Sequence, residues 1–166
     1  MRASAVLIVL VDGPYGAEVV LTKRATHLSS HRGEMSFPGG RLDAGETPVD
    51  AALREADEEV GLDPSAVTVV GELDHQFTLS SASTIVPIVG RLDARPALRP
   101  MTREVDRILF VPLVDLVRPG THREERWGLS PDDPAIHFFE LDDETVWGAT
   151  ARMLVQLVSL AVGVES

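Results

Sequence analysis

The sequence predicts an α+β fold in which a mixed β-sheet is flanked by helices. Three observations carry that prediction. Apolar, β-branched runs outnumber helical stretches, they do not alternate with helices as a doubly wound sheet requires, and connections rich in Gly and Pro (DGPYG, FPGG, ARPALRP, SPDDP) separate them. Strands are expected at Ala5–Val11, Ala17–Arg24, Val67–Leu73, Ser83–Leu92, Ile108–Val111 and Ile136–Leu141. Helices are expected at Pro48–Val60 and Glu144–Val162.

The first strand, AVLIVLV, looks superficially like the apolar segment of a signal peptide. Asp12, Gly13 and Pro14 follow at once, with no small-x-small cleavage site, so a buried strand is expected. The C-terminal MLVQLVSLAVGV is too short to span a bilayer and is interrupted by Gln156 and Ser159. A length of 166 residues fits one domain, expected over residues 1–166, with a proper core.

Charge narrows the function. The 15 Lys and Arg against 26 Asp and Glu leave a net charge of -11. That balance disfavours sequence-independent nucleic-acid binding and an anionic membrane surface, both of which need clustered cations. An acidic protein can still act on phosphates by recruiting divalent cations, whose charge reverses the local field. The chain has no cysteine, which rules out disulfides, thiolate metal sites and cysteine nucleophiles and suits a cytoplasmic setting.

The helix at 48–60 is well punctuated. Thr47 suits the N-cap, Pro48 the first helical position and Asp50 the acidic place in a capping box. Gly61 suits the left-handed C-terminal position, and Pro64 follows as a stop. Val49, Ala52, Leu53, Ala56 and Val60 form one apolar stripe. Glu55 and Glu59 lie one turn apart on a flank of that stripe, with Glu58 beside them. A run of acids on a helix is ordinarily a solvated face, and Arg54 supplies an i,i+4 partner for Glu58. Three gathered carboxylates also make an oxygen-rich site for Mg²⁺ or Mn²⁺, hard ions that offset the mutual repulsion of the acids.

Spacing favours the second reading. From Gly40 the chain runs G, five residues, E, seven residues, then READEEVGL. Gly40, Glu46, Arg54, Glu55, Glu58, Glu59 and Gly61, with Ala56 and Leu62 at apolar places, fill every specified position of a pattern that resembles the Nudix box, here residues 40–62. The resemblance implies an αβα sandwich with a mixed sheet and a loop–helix–loop metal site. It implies that Glu55, Glu58 and Glu59, with a backbone carbonyl near Gly39 or Gly40, hold Mg²⁺ or Mn²⁺. It further implies that Glu55, oriented by Arg54, serves as general base in some members, and that Glu46 shapes the loop. An acid outside the box acts in catalysis in some relatives; Glu104 in TREVDRILFVPL is the candidate for that role. The implied chemistry is hydrolysis of a nucleoside diphosphate derivative by attack of water on phosphorus.

Upstream, LTKRATHLSSHRGEMSFPGG (21–40) resembles the signature of the coenzyme A pyrophosphatase branch, through Thr22, Arg24, Ala25, Gly33, Phe37, Pro38, Gly39 and Gly40. Ser29 stands where that signature has Arg. The implied reaction splits coenzyme A or an acyl derivative into 3′,5′-ADP and (acyl-)4′-phosphopantetheine. Arg24, Arg32 and Arg41 are candidates to meet phosphates, with His31 or Arg32 in place of the missing Arg and Phe37 and Gly39 at the substrate. Rival readings are a related hydrolase for ADP-ribose, NADH or an oxidised dNTP, and a silent nucleotide-sensing module of the same fold. Homodimerisation is expected by analogy alone. The five histidines lack metal-ligand spacing and are expected on the surface or in turns. HREERW is expected as a solvated strand or loop, and Trp127 and Trp147 are expected in the core.

Overall fold

The structure, a computed structural model, describes residues 2–28, 33–78 and 82–163. In chain order the strands and helices are β1 (Arg2–Gly13), β2 (Gly16–Arg24), β3 (Met35–Ser36), β4 (Gly39–Arg41), α1 (Pro48–Val60), β5 (Thr68–Glu72), β6 (Gln76–Thr78), β7 (Ser83–Arg91), β8 (Val105–Pro112), the short α2 (Leu113–Leu116), β9 (His122–Glu125), β10 (Ile136–Glu140), β11 (Thr145–Trp147) and α3 (Gly148–Ala161). A 3-10 turn, Pro64–Ala66, links α1 to β5.

β1 is the axis of the molecule. It pairs in parallel with β7, from Arg2 opposite Ser83 to Leu10 opposite Arg91, and antiparallel with β2 and β4. The larger sheet runs β3-β2-β1-β7-β5, with β8 joined to β2 and β6 to β7, so it is mixed. A second, antiparallel sheet runs β11-β10-β9.

The continuous apolar run of β1 is explained by burial on both faces, because alternate side chains of a strand point to opposite sides. Leu7, Val9 and Val11 pack with Ala51, Ala52, Ala56 and Val60 of α1. Ile8 packs instead with Val19, Leu21, Phe139 and the Met153, Leu154 and Leu157 of α3. The helices thus lie on opposite faces, as the sandwich expectation requires. Leu7, Ile8, Leu21 and Leu154 are fully buried, and truncating any one to Ala costs about 2–5 kcal/mol.

The first helix forms where expected. The Asp50 N–H donates to Thr47 Oγ1 at 3.1 Å. Gly61 takes φ 73°, and the Leu62 N–H reaches back to the Ala56 carbonyl. The last helix begins at Gly148 rather than Glu144. Residues 145–147 pair with β10 instead, placing Thr145 opposite Glu140, Val146 opposite Phe139 and Trp147 opposite Phe138. Strand alternation then buries Val146 and turns Trp147 outward, 41% exposed, against the expectation of a core residue. Trp127 is likewise 62% exposed, set against Phe138 and Trp147. HREERW does contain a strand, β9.

Glu144, expected to open the helix, instead accepts from Lys23 Nζ at 2.7 Å and from Arg107 Nη2 at 2.9 Å, tying the turn before β11 to β2 and β8. No helix among the described residues is long and apolar enough to cross a membrane.

Candidate functional site

Small residues bring α1 close to the sheet. Ala51, Ala52 and Ala56 are all completely buried against the β1 side. Ala51 lies outside the expected apolar stripe, and its burial widens the inward arc of the helix. At 3.6 residues per turn, Glu55 and Glu59 project between Ala51 on one side and Ala52 and Ala56 on the other. They therefore face β4 rather than open solvent.

β4 is built to receive them. It lies beside β1, with Val6 opposite Gly39 and Ala5 opposite Gly40. A Cβ on Gly39 would overlap the Ala5 carbonyl oxygen, and one on Gly40 would come within 2.6 Å of the Glu55 carboxyl. Glycine at both positions lets backbone approach backbone at the first and carboxylate approach backbone at the second.

The electrostatics follow from this enclosure. Burial, then the neighbouring Glu55 charge, pushes the Glu59 carboxyl up to about 8, against the lowering pull of the Gly39 N–H and Arg24. Burial also raises Glu55, although Arg54 opposes it. The two carboxyl groups are close enough to share a hydrogen bond when one is protonated. A buried carboxylate pair that retains a proton near neutral pH, beside a strand of backbone amides, has the donor chemistry of a divalent hard-cation site, since a cation can replace the proton. The residues present fit Mg²⁺ or Mn²⁺, with Glu55, Glu59 and the Gly40 backbone as the groups that could hold it.

Arg54 organises the acids around it. Its Nε and Nη2 donate to the two oxygens of Glu46 at 2.7 and 2.9 Å, a bidentate fork. Nη2 also donates to the Arg41 carbonyl at 3.1 Å, and Nη1 to Glu55 at 3.0 Å and Glu58 at 3.2 Å. Glu46 in addition accepts from the Asp43 N–H at 2.8 Å, and the Arg54 contact holds its carboxyl down at about 2. One guanidinium thus links the loop before α1, β4 and the acidic edge. Glu58 turns its exposed carboxylate toward Arg54, beside the Glu55–Glu59 pair.

A cleft of about 560 Å³ opens along β4, lined among others by Arg24, Gly39, Gly40, Arg41, Ser83 and Trp147. That volume suits a small-molecule ligand. Arg24 lines this cleft, and its Nε is buried with no hydrogen-bond partner among the described residues. Phe37 borders the cleft but is buried in the core, so it supports the wall from behind. Glu104 is exposed in the turn before β8, where its carbonyl accepts from the Ala25 N–H at 2.8 Å, one residue beyond Arg24. His31 and Arg32, like Ser29, lie outside the described residues.

Sequence alone does not reveal Trp147 as a cleft residue, because a helix expected from Glu144 conceals its strand alternation. Nor does it reveal a pairing of His122 with His137, which are far apart in the chain. Antiparallel pairing of β9 and β10 brings His122 Nε2 within 2.9 Å of His137 Nδ1. Burial holds the His137 imidazole below its ordinary pKa.

Fold and site define an αβα sandwich whose first helix, capped by glycine-bearing loops, carries a clustered set of acids. The sequence profile of the NUDIX domain matches residues 1–132, and the chain belongs to that family. It is 36% identical over 167 residues to "Nudix hydrolase 22, chloroplastic" of Arabidopsis thaliana, covering 96% of this chain and 55% of that protein. It is 39% identical over 174 residues to Nudix hydrolase 3 of Caenorhabditis elegans, covering 95% and 72% respectively. With the Nudix hydrolase NudL of Escherichia coli O6:H1 it shares 34% identity over 165 residues, 99% of this chain and 84% of that one. The chain spans little more than half the length of the two Arabidopsis relatives it matches.

Among solved structures, the Nudix hydrolase RenU of M. smegmatis superposes with a TM-score of 0.60 at 25% identity, covering 72% of this chain and 78% of that one. A MutT/nudix family protein of Enterococcus faecalis gives 0.63 at 17% identity over 98% of this chain and 62% of that one, a likeness of fold.

Proposed function

We propose that residues 1–166 act as one Nudix hydrolase domain that splits the diphosphate bond of coenzyme A or an acyl-coenzyme A, releasing 3′,5′-ADP and (acyl-)4′-phosphopantetheine. The observation that carries the reading is the enclosed Glu55–Glu59 pair, set under Gly39 and Gly40 at the edge of a cleft that Arg24 and Arg41 line.

Glu55, Glu59 and the Gly40 backbone hold Mg²⁺ or Mn²⁺ in this proposal, with Glu58 the third acid beside them. When bound, such an ion polarises phosphoryl oxygens and lowers the pKa of the attacking water. Glu55, raised by burial and oriented by Arg54, accepts the proton of that water, because a carboxyl with a raised pKa is the stronger base. Glu104 is the second candidate for that transfer. Arg24 and Arg41, which both line the cleft, meet phosphate oxygens through their guanidinium groups. The Arg54–Glu46 fork holds the loop in place. The upstream likeness to the coenzyme A pyrophosphatase signature, ending at Gly40 itself, favours that substrate over others of the class.

Ser29, in the place of the signature Arg, favours a second reading: hydrolysis of another nucleoside diphosphate derivative such as ADP-ribose, NADH or an oxidised dNTP. A NUDIX domain of similar fold, from Shewanella oneidensis NrtR, was solved in complex with ADP ribose. Incubation with coenzyme A, acetyl-coenzyme A, ADP-ribose, NADH and 8-oxo-dGTP, each with Mg²⁺ or Mn²⁺, separates the readings by chromatography of the products. The proposal predicts 3′,5′-ADP from the coenzyme A substrates and none from Glu55→Gln. Cleavage of ADP-ribose or NADH alone would replace it with the second reading, and no turnover at all would leave the nucleotide-sensing module.

A further inference from the structure

The outer end of the second sheet carries a cluster that the box chemistry does not use. His122 and Glu124 are two residues apart on β9 and so share one face of the strand. His137 on β10 stands directly opposite Glu124, which places all three side chains on that face. The His122 Nε2 and His137 Nδ1 are 2.9 Å apart, His137 Nδ1 lies 4.0 Å from Glu124 Oε1, and one ligand atom from each residue falls within 4.8 Å of the others.

We propose that His122, Glu124 and His137 form a second cation site, selective for a divalent transition ion such as Zn²⁺ or Co²⁺, which staples β9 to β10.

The geometry supports this at each ligand. Two imidazole nitrogens bound at about 2.0–2.1 Å to one ion, at angles between octahedral and tetrahedral, stand roughly 2.9–3.4 Å apart. The two nitrogens already have that spacing, so an ion can replace the proton now shared between them. The His122 ring is set by packing, stacked on His137 at 5.1 Å between centroids and tilted against the core residue Phe139 at 4.9 Å. Glu124 is exposed, and a small side-chain rotation closes its gap. Three protein ligands leave further positions for water.

Donor type separates this site from the box. Imidazoles favour Zn²⁺, Co²⁺, Ni²⁺ or Cu²⁺, whereas carboxylates and backbone carbonyls suit Mg²⁺ and Mn²⁺. Arg152 of α3, a cation whose charge acts on His137, donates to Gln76 Oε1 at 3.3 Å. A staple here has a physical purpose. β9 and β10 are joined by a ten-residue connection, 126–135, and an ion linking them at their outer end stabilises the folded pair by mass action.

The test is Co²⁺ titration of the full chain carrying Glu55→Gln and Glu59→Gln, which silences the box, followed by visible absorption and calorimetry. The expected result is one Co²⁺ per chain with histidine-type absorption, displaced by Zn²⁺, and a raised melting temperature. Adding His122→Asn or Glu124→Gln, both at exposed positions, should weaken uptake by about tenfold or more while circular dichroism stays unchanged. Uptake that vanishes with the box substitutions, or that survives His122→Asn unaltered, overturns the proposal, as does no uptake at all.

Discussion

Glu59 accepts a hydrogen bond from the Gly39 N–H while its carboxyl lies against that of Glu55, so one buried acid meets both a strand backbone and a second acid. The consequences of that meeting can be measured residue by residue.

Gly39→Ala and Gly40→Ala should fail differently. The added methyl at 39 collides with the backbone of β1, and overpacking of that kind costs about 1–3 kcal/mol, read as a lower urea midpoint. At 40 it collides with the Glu55 carboxyl, a movable side chain. Gly40→Ala should therefore keep most of its stability and lose turnover and Mn²⁺ affinity, by about tenfold or more. Equal stability losses in the two variants would contradict the assignment.

Stability of the metal-free protein should fall as pH rises from about 4.5 to 8. The Glu59 carboxyl, raised to about 8, keeps its proton in the fold after the unfolded chain has lost it, so stabilisation is complete below 4.5 and lost through 8. The change is on the order of 3 kcal/mol, and Glu59→Gln should flatten it. Glu46 has the opposite sign: held down at about 2, it stabilises above 4.5 and ceases to do so as pH falls through 2. Urea unfolding with chelator at several pH values reads both slopes.

Arg54→Lys should not rescue Arg54→Ala. An ammonium cannot reproduce the fork onto Glu46 while also reaching Glu55 and the Arg41 carbonyl. Both variants should lower kcat by about 100-fold and lower the melting temperature. A double-mutant cycle with Glu46→Ala should be strongly non-additive, because the second substitution removes the partner of the first.

Arg24→Ala should act on substrate affinity more than on turnover. Arg24 lines the cleft and its Nε has no hydrogen-bond partner among the described residues, so the loss falls on the ligand, with KM rising by about tenfold and kcat changing less. A fall in kcat alone would place Arg24 elsewhere in the mechanism.

Much of this arrangement was legible in the chain. The caps Thr47 and Gly61 are local signals, and the acids of 40–62 are fixed by spacing, so the helix and its acidic edge could be read directly. What escaped depended on pairing between distant segments. The FPGG stretch reads as a turn, yet Gly39–Arg41 becomes a strand because Ser4–Val6 offers it a partner. Thr145–Trp147 has too few residues to declare a strand period, and its neighbour β10 decides the matter. Ala51 looks like filler until the closeness of α1 and β1 makes its smallness necessary. The His122–His137 contact has no counterpart in sequence spacing, only in the register of β9 and β10.

Under the proposed function, Glu55 and Glu59 together hold a divalent cation. Mn²⁺ titration followed by the electron paramagnetic resonance of the free ion tests it without reference to substrate. Wild-type protein should remove Mn²⁺ from solution, and Glu59→Gln, still folded by circular dichroism, should bind it about 100-fold more weakly. Undiminished Mn²⁺ uptake by Glu59→Gln would contradict the account.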